Sequence, residues 1–183
     1  MNKRSEKTIE YLYSGFAKIL KEKPYNDITV QDILDASHVS RSTFYAHYKT
    51  KEELLLSVCS HIFNHVFSHT LDVEKTHDFS QSSIFDYKHL ITHIFYHIRD
   101  EKDLIDAIFA SESKNIFLDY MKNELVDFAK ICISSDLIEN KQIPSSLKEK
   151  QFLNNFVVTL DYWQQNQYQE TPEILTDYFI KLF

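Results

Sequence analysis

The stretch TVQDILDASHVSRSTFYAHYKTKEEL, residues 29–54, decides the fold of this chain. Thr29 with Asp32 three residues on is a capping box, and Ile33 and Leu34 give the short helix that follows an inward face. Ser37–Val39 form a turn, and Ser40 caps a second short helix whose core anchor is Phe44. Thr50 and Glu53 make another capping box that opens a third helix. A Ser/Thr/Arg cluster alone would be a weak signal. Two capped helices around a tight turn, followed at once by a capped third, are a strong one: a helix-turn-helix that places Ser40–Tyr48 in a DNA major groove.

The segment supplies both kinds of contact that DNA recognition needs. Arg41, Ser42 and Thr43 occupy the first turn of the second short helix, the end that reaches deepest into the groove. An arginine forks onto guanine, while Ser and Thr donate or accept at several bases. Tyr45, His47, Tyr48 and Lys49 follow, with Tyr and His suited to phosphate oxygens. Tyr48 has a second reading, as a core residue under the first helix. Lys51 opens the next helix, where unpaired backbone N–H groups and a cation can together hold a phosphate. Lys3 and Arg4 are placed to act as an arm along the backbone or in the minor groove.

Outward from this segment the chain reads as all-α, with about nine helices. The first runs from about Glu6 to Glu22, with Ile9, Leu12, Phe16, Ile19 and Leu20 on one face and Pro24 as its stop. The fourth carries Leu54, Leu55, Val58, Ile62 and Val66 and extends to about Leu71. A polar loop is expected over 72–82, and Ser83 with Asp86 is placed to cap a fifth helix ending near Ile98. A short helix over 100–110 and a longer one over 114–133 lead to a second loop, 136–145. Ser146 and Glu149 read as a capping box for a helix reaching about Gln165, and Thr171-Pro172 opens the last.

Composition narrows the function. With 183 residues, 43% of them apolar, the chain can bury a core. One Gly and three Pro leave little chemistry for hairpins and none for the Gly-rich loops that cradle phosphates. No nucleophile–base motif is present, so neither an enzyme nor a cofactor is expected. Cys59 and Cys132 stand far apart without CxxC spacing, which points to a reducing cytoplasm, and no apolar run approaches the length of a membrane span. The net charge of −7 is uneven. Residues 1–51 carry nine Lys/Arg against six Asp/Glu, net +3, and residues 52–183 carry eleven against twenty-one, net −10. That distribution confines DNA contact to the N-terminal part.

The residues of the helix-turn-helix also resemble the DNA-binding head of the TetR family of transcriptional regulators. The match lies in ITVQDI, in the turn ending Val39-Ser40, in RSTFY with HY two residues later, and in K-E-x-L at the start of the fourth helix. It covers about Glu6–Val58, roughly a third of the chain. The resemblance implies a homodimer, a base-reading third helix, and phosphate contacts from Tyr45, His47, Lys51 and Thr29. It also implies a division at residue 50, with 1–50 as DNA-binding domain and 51–183 as effector-binding and dimerisation domain. His38 stands where the family usually has Gly in the turn, and mild strain is expected there.

Beyond residue 52 aromatic residues are abundant. Phe63, Phe67, Phe95, Phe109, Phe117 and Tyr120 are candidates to line a cavity for an apolar or aromatic effector, although such stripes equally build a core. Phe152, Phe156, Leu160, Trp163, Ile174, Leu175, Tyr178 and Phe179 give the last two helices apolar faces that two protomers can bury as a four-helix bundle. His61, His65 and His69 recur every four residues, as do His89, His93 and His97. They flank the apolar stripes. They read as polar-flank residues or, alternatively, as a metal, haem or pH-responsive site. On this reading the protein is a dimeric, ligand-responsive regulator, a repressor released from a near-palindromic operator by an effector. The competing reading is a metal- or haem-binding helical protein.

Overall fold

A computed structural model describes residues 3–68, 87–134 and 143–183. Among them are nine α-helices and one 3-10 turn, with no strand. The helices are α1 (Lys3–Glu22), α2 (Val30–Ser37), α3 (Arg41–His47), α4 (Lys51–Ser68), α5 (Tyr87–Asp100), α6 (Lys102–Phe109), α7 (Lys114–Ser134), α8 (Ser145–Gln165) and α9 (Pro172–Lys181), with the 3-10 turn at Tyr25–Asp27. The loop expected over 72–82, the Ser83/Asp86 cap, the extension of α4 to Leu71 and most of the 136–145 loop lie outside the described residues.

The chain divides into two compact units. The first comprises Met1–Val58 and Glu101–Asp119, the second Cys59–Asp100 and Tyr120–Phe183. The sequence boundary at residue 50 therefore does not coincide with the packing. α6 and the start of α7 join the N-terminal helices because the apolar residues of α6, Leu104, Ile105 and Ile108, are buried and α6 packs on α1. Sequence periodicity reveals that such a face exists but not which partner covers it.

In the first unit Leu12, Phe16, Ile33, Phe44 and Leu54 are fully buried. Each comes from the apolar face its helix shows in the sequence. α1 meets α2 at Gly15, the chain's single glycine. A Cβ placed there would stand 2.7 Å from both the Cβ and the backbone nitrogen of Ser37, and 2.8 Å from its Cα. That approach is closer than any side chain permits, so glycine is required by space and not by backbone angles.

In the second unit α5, α8 and α9 share an aromatic core. Phe95 stacks on Phe156 at 5.1 Å between ring centroids and meets Trp163 edge-on at 5.7 Å. Phe152 and Phe179 pack edge-to-face at 5.0 Å. Polar pairs fasten α5 to α9: Thr92 Oγ1 donates to Thr176 Oγ1 at 2.9 Å, Lys88 pairs with Asp177 at 2.6 Å, and Tyr96 donates to Glu173 at 2.5 Å.

Two helix starts differ in quality. α9 opens as read, with Thr171 Oγ1 accepting from the Ile174 N–H and Pro172 at the first helical position. α8 instead begins at Ser145, with Pro144 in the cap position and no side-chain cap, so the Ser146/Glu149 box does not open it. Proline already sets the φ that a helix start needs, and it moves the start one residue ahead of Ser146.

Candidate nucleic-acid interface

The helix-turn-helix is assembled by the local hydrogen bonds its sequence encodes. Thr29 donates its backbone N–H to Asp32 Oδ2 at 2.7 Å, and Asp32 returns its own N–H to Thr29 Oγ1 at 3.2 Å. The Thr29 hydroxyl also donates to that carboxylate at 2.6 Å. Lys23 adds an ion pair to Asp32 at 2.6 Å. That lysine, then the two Thr29 donors, hold the Asp32 carboxyl well below the usual carboxylate range. His38 ends α2 with φ 56° and ψ 25°, the left-handed conformation expected at this position. Ser40 Oγ then caps α3 by accepting the Thr43 N–H at 3.2 Å, and it also bonds Thr43 Oγ1 at 2.7 Å and Ser42 Oγ at 3.1 Å.

α3 divides its residues between core and surface. Phe44 is fully buried, and Tyr48, just past the helix end, is buried against it at 5.9 Å between rings. Tyr48 thus takes the core alternative and not the phosphate one. Beside it, burial first and then the neighbouring Tyr48 push the Tyr13 phenol far above its ordinary value, while Tyr13 Oη lies 3.1 Å from Ser57 Oγ. Arg41, Ser42, Tyr45 and His47 are exposed and Thr43 is partly so, and Tyr45 stands edge-on to Phe44 at 5.4 Å. Ser40, Thr29 and Lys49 are exposed as well. The side chains of Lys3 and Arg4 lie outside the described residues.

Two of these cations are held by the protein itself. Arg41 Nη2 donates to Gln31 Oε1 at 2.7 Å, across from α3 to α2. Lys51 turns inward: its ammonium donates to the carbonyls of Tyr25 at 2.7 Å, Ile28 at 2.8 Å and Asn26 at 3.1 Å, and it sits 4.6 Å from the centre of the Tyr25 ring. A lysine has three N–H donors, and all are spent on the 3-10 turn and the residue that ends it, Ile28. The sequence offers a hint, since a cation in a helix's first turn opposes the macrodipole unless something else holds it. At the start of α4, Thr50 Oγ1 accepts the Glu53 N–H at 3.1 Å, but the Glu53 carboxylate reaches back to the Lys49 N–H at 2.6 Å instead of that of Thr50.

Charge is local, not global. The first compact unit as packed carries eleven Lys/Arg against thirteen Asp/Glu, net −2, because residues 52–58 and α6 with its flanks bring acidic groups. The basic balance of residues 1–51 does not extend to the whole unit.

The effector and dimer candidates separate in the same way. Phe109 and Phe117 lie in the first unit, edge-to-face at 6.4 Å. Phe95 is buried in the second unit's stack, and Tyr120 is half-buried there with its hydroxyl 2.9 Å from Ser60 Oγ. The side chains of Phe63 and Phe67 lie outside the described residues. Of the eight dimer candidates, Phe152, Phe156, Leu160, Trp163, Leu175 and Phe179 are buried inside their own protomer, a correction to the sequence reading. The reason is that one helix has several apolar sides, and the protomer's core takes the widest. Ile174 and Tyr178 remain exposed, joined by Val158 and Tyr162, which sequence reasoning passed over or left unassigned. Tyr162 and Tyr178 lie 6.4 Å apart between rings.

The histidines flank the apolar face of α5 as expected. His89 is exposed, and His93 and His97 are partly so, with one Nε2 donating to the other at 2.9 Å. His61 is exposed on α4, whereas the side chain of His65 and the whole of His69 lie outside what is described. Among the described residues no three His, Cys, Asp or Glu side chains converge on a metal position. Cys59 and Cys132 are buried and burial raises both thiols, Cys132 to about 12. No described helix is long and apolar enough to cross a membrane.

Comparison with known proteins agrees with this architecture at both ends of the chain. Residues 14–58 match the family described as bacterial regulatory proteins, tetR family, and residues 86–183 match one described as transcriptional regulator C-terminal region. The uncharacterized HTH-type transcriptional regulator YuxN of Bacillus subtilis (strain 168) is 28% identical over 88 residues, which are 48% of this chain and 29% of that one. The chain thus spans under a third of that relative's length. A TetR transcriptional regulator from Streptococcus agalactiae 2603V superposes with a TM-score of 0.67 at 29% identity, over 98% of this chain and 94% of its own. A putative TetR-family regulator from Syntrophomonas wolfei str. Goettingen shares the fold with a TM-score of 0.64 at 16% identity, over 96% and 92%. With its two ends matched in this way and a helix-turn-helix between α1 and α4, the chain belongs to the TetR family of transcriptional regulators.

Proposed function

We propose that the protein is a homodimeric repressor that reads a near-palindromic operator through α3 and leaves it when a small apolar or aromatic effector binds the second unit. The observation that carries the DNA part is the division of α3: Phe44 faces the core while Arg41, Ser42, Tyr45 and His47 are left exposed on a helix that Ser40 caps. Arg41 reads a guanine, Ser42 and Thr43 contact neighbouring bases, and Tyr45, His47 and Lys49 take phosphates, with Thr29 at the start of α2. The dimer part is supported by the exposed patch of Val158, Tyr162, Ile174 and Tyr178 on α8 and α9, which two protomers can bury isologously. Within the second unit, Phe95 and Tyr120 are the described aromatic candidates for the effector site. Effector binding releases DNA only by favouring the arrangement of the dimer that does not fit the operator.

The test is selection of binding sites from random double-stranded DNA by the purified protein at fixed salt. An enriched inverted repeat with half-sites about one helical turn apart is the expected result. A single unpaired half-site, or no enrichment over random sequence, overturns the dimeric reading or the base-reading role respectively.

A further inference from the structure

We infer that Gln31, on α2, is a specificity-determining residue: it fixes the Arg41 guanidinium in the orientation in which it reads a base, and is itself oriented by Asp35. The inference rests on the base-reading role of Arg41 proposed above. Its basis is a chain of three side chains along the groove between α2 and α3. Gln31 Nε2 donates to Asp35 Oδ1 at 2.8 Å, and Gln31 Oε1 accepts from Arg41 Nη2 at 2.7 Å. Gln31, Asp35, His38 and Arg41 all line the same groove of about 550 Å³.

The direction of this relay is chemically determined. An ionised carboxylate only accepts hydrogen bonds and a guanidinium only donates them. An amide between the two has therefore one satisfactory orientation, NH2 toward Asp35 and oxygen toward Arg41. Gln31 and Asp35 are one turn apart on α2, the spacing at which helical side chains meet. Arg41 stands at the first position of α3, past the turn that His38 closes in a left-handed conformation. The relay thus ties the reading end of α3 to the body of α2 through side chains, all three of them exposed to solvent in the unbound protein.

A long arginine loses rotamer freedom when it docks on a base, and any restraint present beforehand reduces that loss. Because Gln31 takes only one N–H of Nη2, the guanidinium keeps further donors for a two-point contact with guanine O6 and N7. The restraint acts on direction as well as on entropy. An unrestrained Arg41 can swing to a phosphate, where it adds affinity and no sequence information.

The experiment measures binding of wild-type protein, Gln31→Ala, Asp35→Asn, Arg41→Ala and the Gln31→Ala/Arg41→Ala double variant to the selected operator and to operators changed at each base pair. Thermal unfolding is followed alongside. Arg41→Ala is expected to flatten the preference at one base pair per half-site. Gln31→Ala is expected to reduce the preference at that same base pair on the order of tenfold, the scale of one hydrogen bond to a charged group. In the Arg41→Ala background Gln31→Ala should add nothing, and the unfolding midpoint should be unchanged. Asp35→Asn, which lets the amide turn over, should give a smaller loss at the same base pair.

If Arg41→Ala flattens a base pair and Gln31→Ala does not, the inference fails while the role of Arg41 stands. If Gln31→Ala changes a different base pair, or its effect adds fully to that of Arg41→Ala, Gln31 reads DNA on its own account and the relay is refuted. If Arg41→Ala changes no base preference, the reading on which the inference rests falls, and the inference with it.

Discussion

At the scale of single residues, two positions do different work from what their place in the chain suggests. Gly15 sits in the interior of α1, where glycine costs about 1 kcal/mol relative to alanine, and the contact with the Ser37 backbone explains why it is there. Gly15→Ala is therefore expected to destabilise the protein by up to about 2 kcal/mol. Overpacking against a backbone that cannot swing aside costs ~1–3 kcal/mol, and the better helix propensity returns only ~1. Urea unfolding measures the balance, and a stabilised variant would mean that α1 and α2 can move apart at no cost. Lys51 carries the second prediction. Lys51→Met removes a charge-held clasp on the carbonyls of Tyr25, Asn26 and Ile28 and should cost about 2 kcal/mol. The slope of log affinity against log salt should stay that of the wild type, since an inward ammonium releases no counterion. A slope smaller by about one would return Lys51 to the phosphates. Gly15 was visible in the sequence as a lone glycine amid a helical pattern, but its reason was not, because the reason is a residue of another helix. The sequence suggests a phosphate ligand at Lys51 because it displays charge without direction.

At the scale of elements, the legible parts are those whose cause lies within four residues. The Thr29/Asp32 box, the Ser40 cap and the Thr171-Pro172 start all formed as the residue types dictate, while His38 takes the left-handed turn position against its own preference. α8 departed because Pro144 takes the cap position and the helix starts at Ser145, ahead of the Ser146/Glu149 box, and local chemistry alone does not rank the two starts. The Thr29/Asp32 box yields a pH prediction. Lys23 first, and then Thr29, depress the Asp32 carboxyl in the folded protein. An unfolded aspartate titrates near ~3.9, so the folded state binds this proton more weakly than the unfolded state. The contribution of Asp32 is therefore complete above about pH 5 and is lost as pH falls through the unfolded value toward the folded one. Asp32→Asn should cost about 1 kcal/mol at pH 7, and the gap to wild type should narrow as pH falls from 5 to 3. Urea unfolding of both proteins at several pH values reads this directly. A gap that stays constant with pH would show that the carboxylate's charge contributes nothing.

At the scale of the whole molecule, sequence periodicity could count helices but not allot their faces. α6 looked like part of the body and packs in the first unit. Its acidic residues and flanks, with Glu52 and Glu53, turn the apparent basic head into a unit of net −2. DNA approach must then depend on where Arg41, Lys49 and their neighbours sit, not on the sum of charges. The same limit governed α8 and α9, whose fully buried aromatic and aliphatic residues are spent inside the protomer and whose exposed ones include Val158 at 60% and Ile174 at 44%, which are less conspicuous in the sequence. This distinction makes the proposed dimer testable without harming the fold. Val158→Glu adds a carboxylate to a site already open to water, and an exposed substitution changes monomer stability by no more than ~0.5 kcal/mol. Across a two-fold interface the same change buries two like charges facing each other, each costing several kcal/mol if left unpaired. Sedimentation should therefore find Val158→Glu monomeric at concentrations where wild type is dimeric, with unchanged helical content. Operator affinity should fall by ~100-fold or more, because the second half-site then binds as an independent molecule and no longer through the linkage. Ile131→Glu, a change at a 47% exposed position on α7 outside the patch, should leave both properties intact. A Val158→Glu protein that still sediments as a dimer and binds its operator normally would place the two-fold contact elsewhere, and with it the geometry that sets the spacing of the two recognition helices.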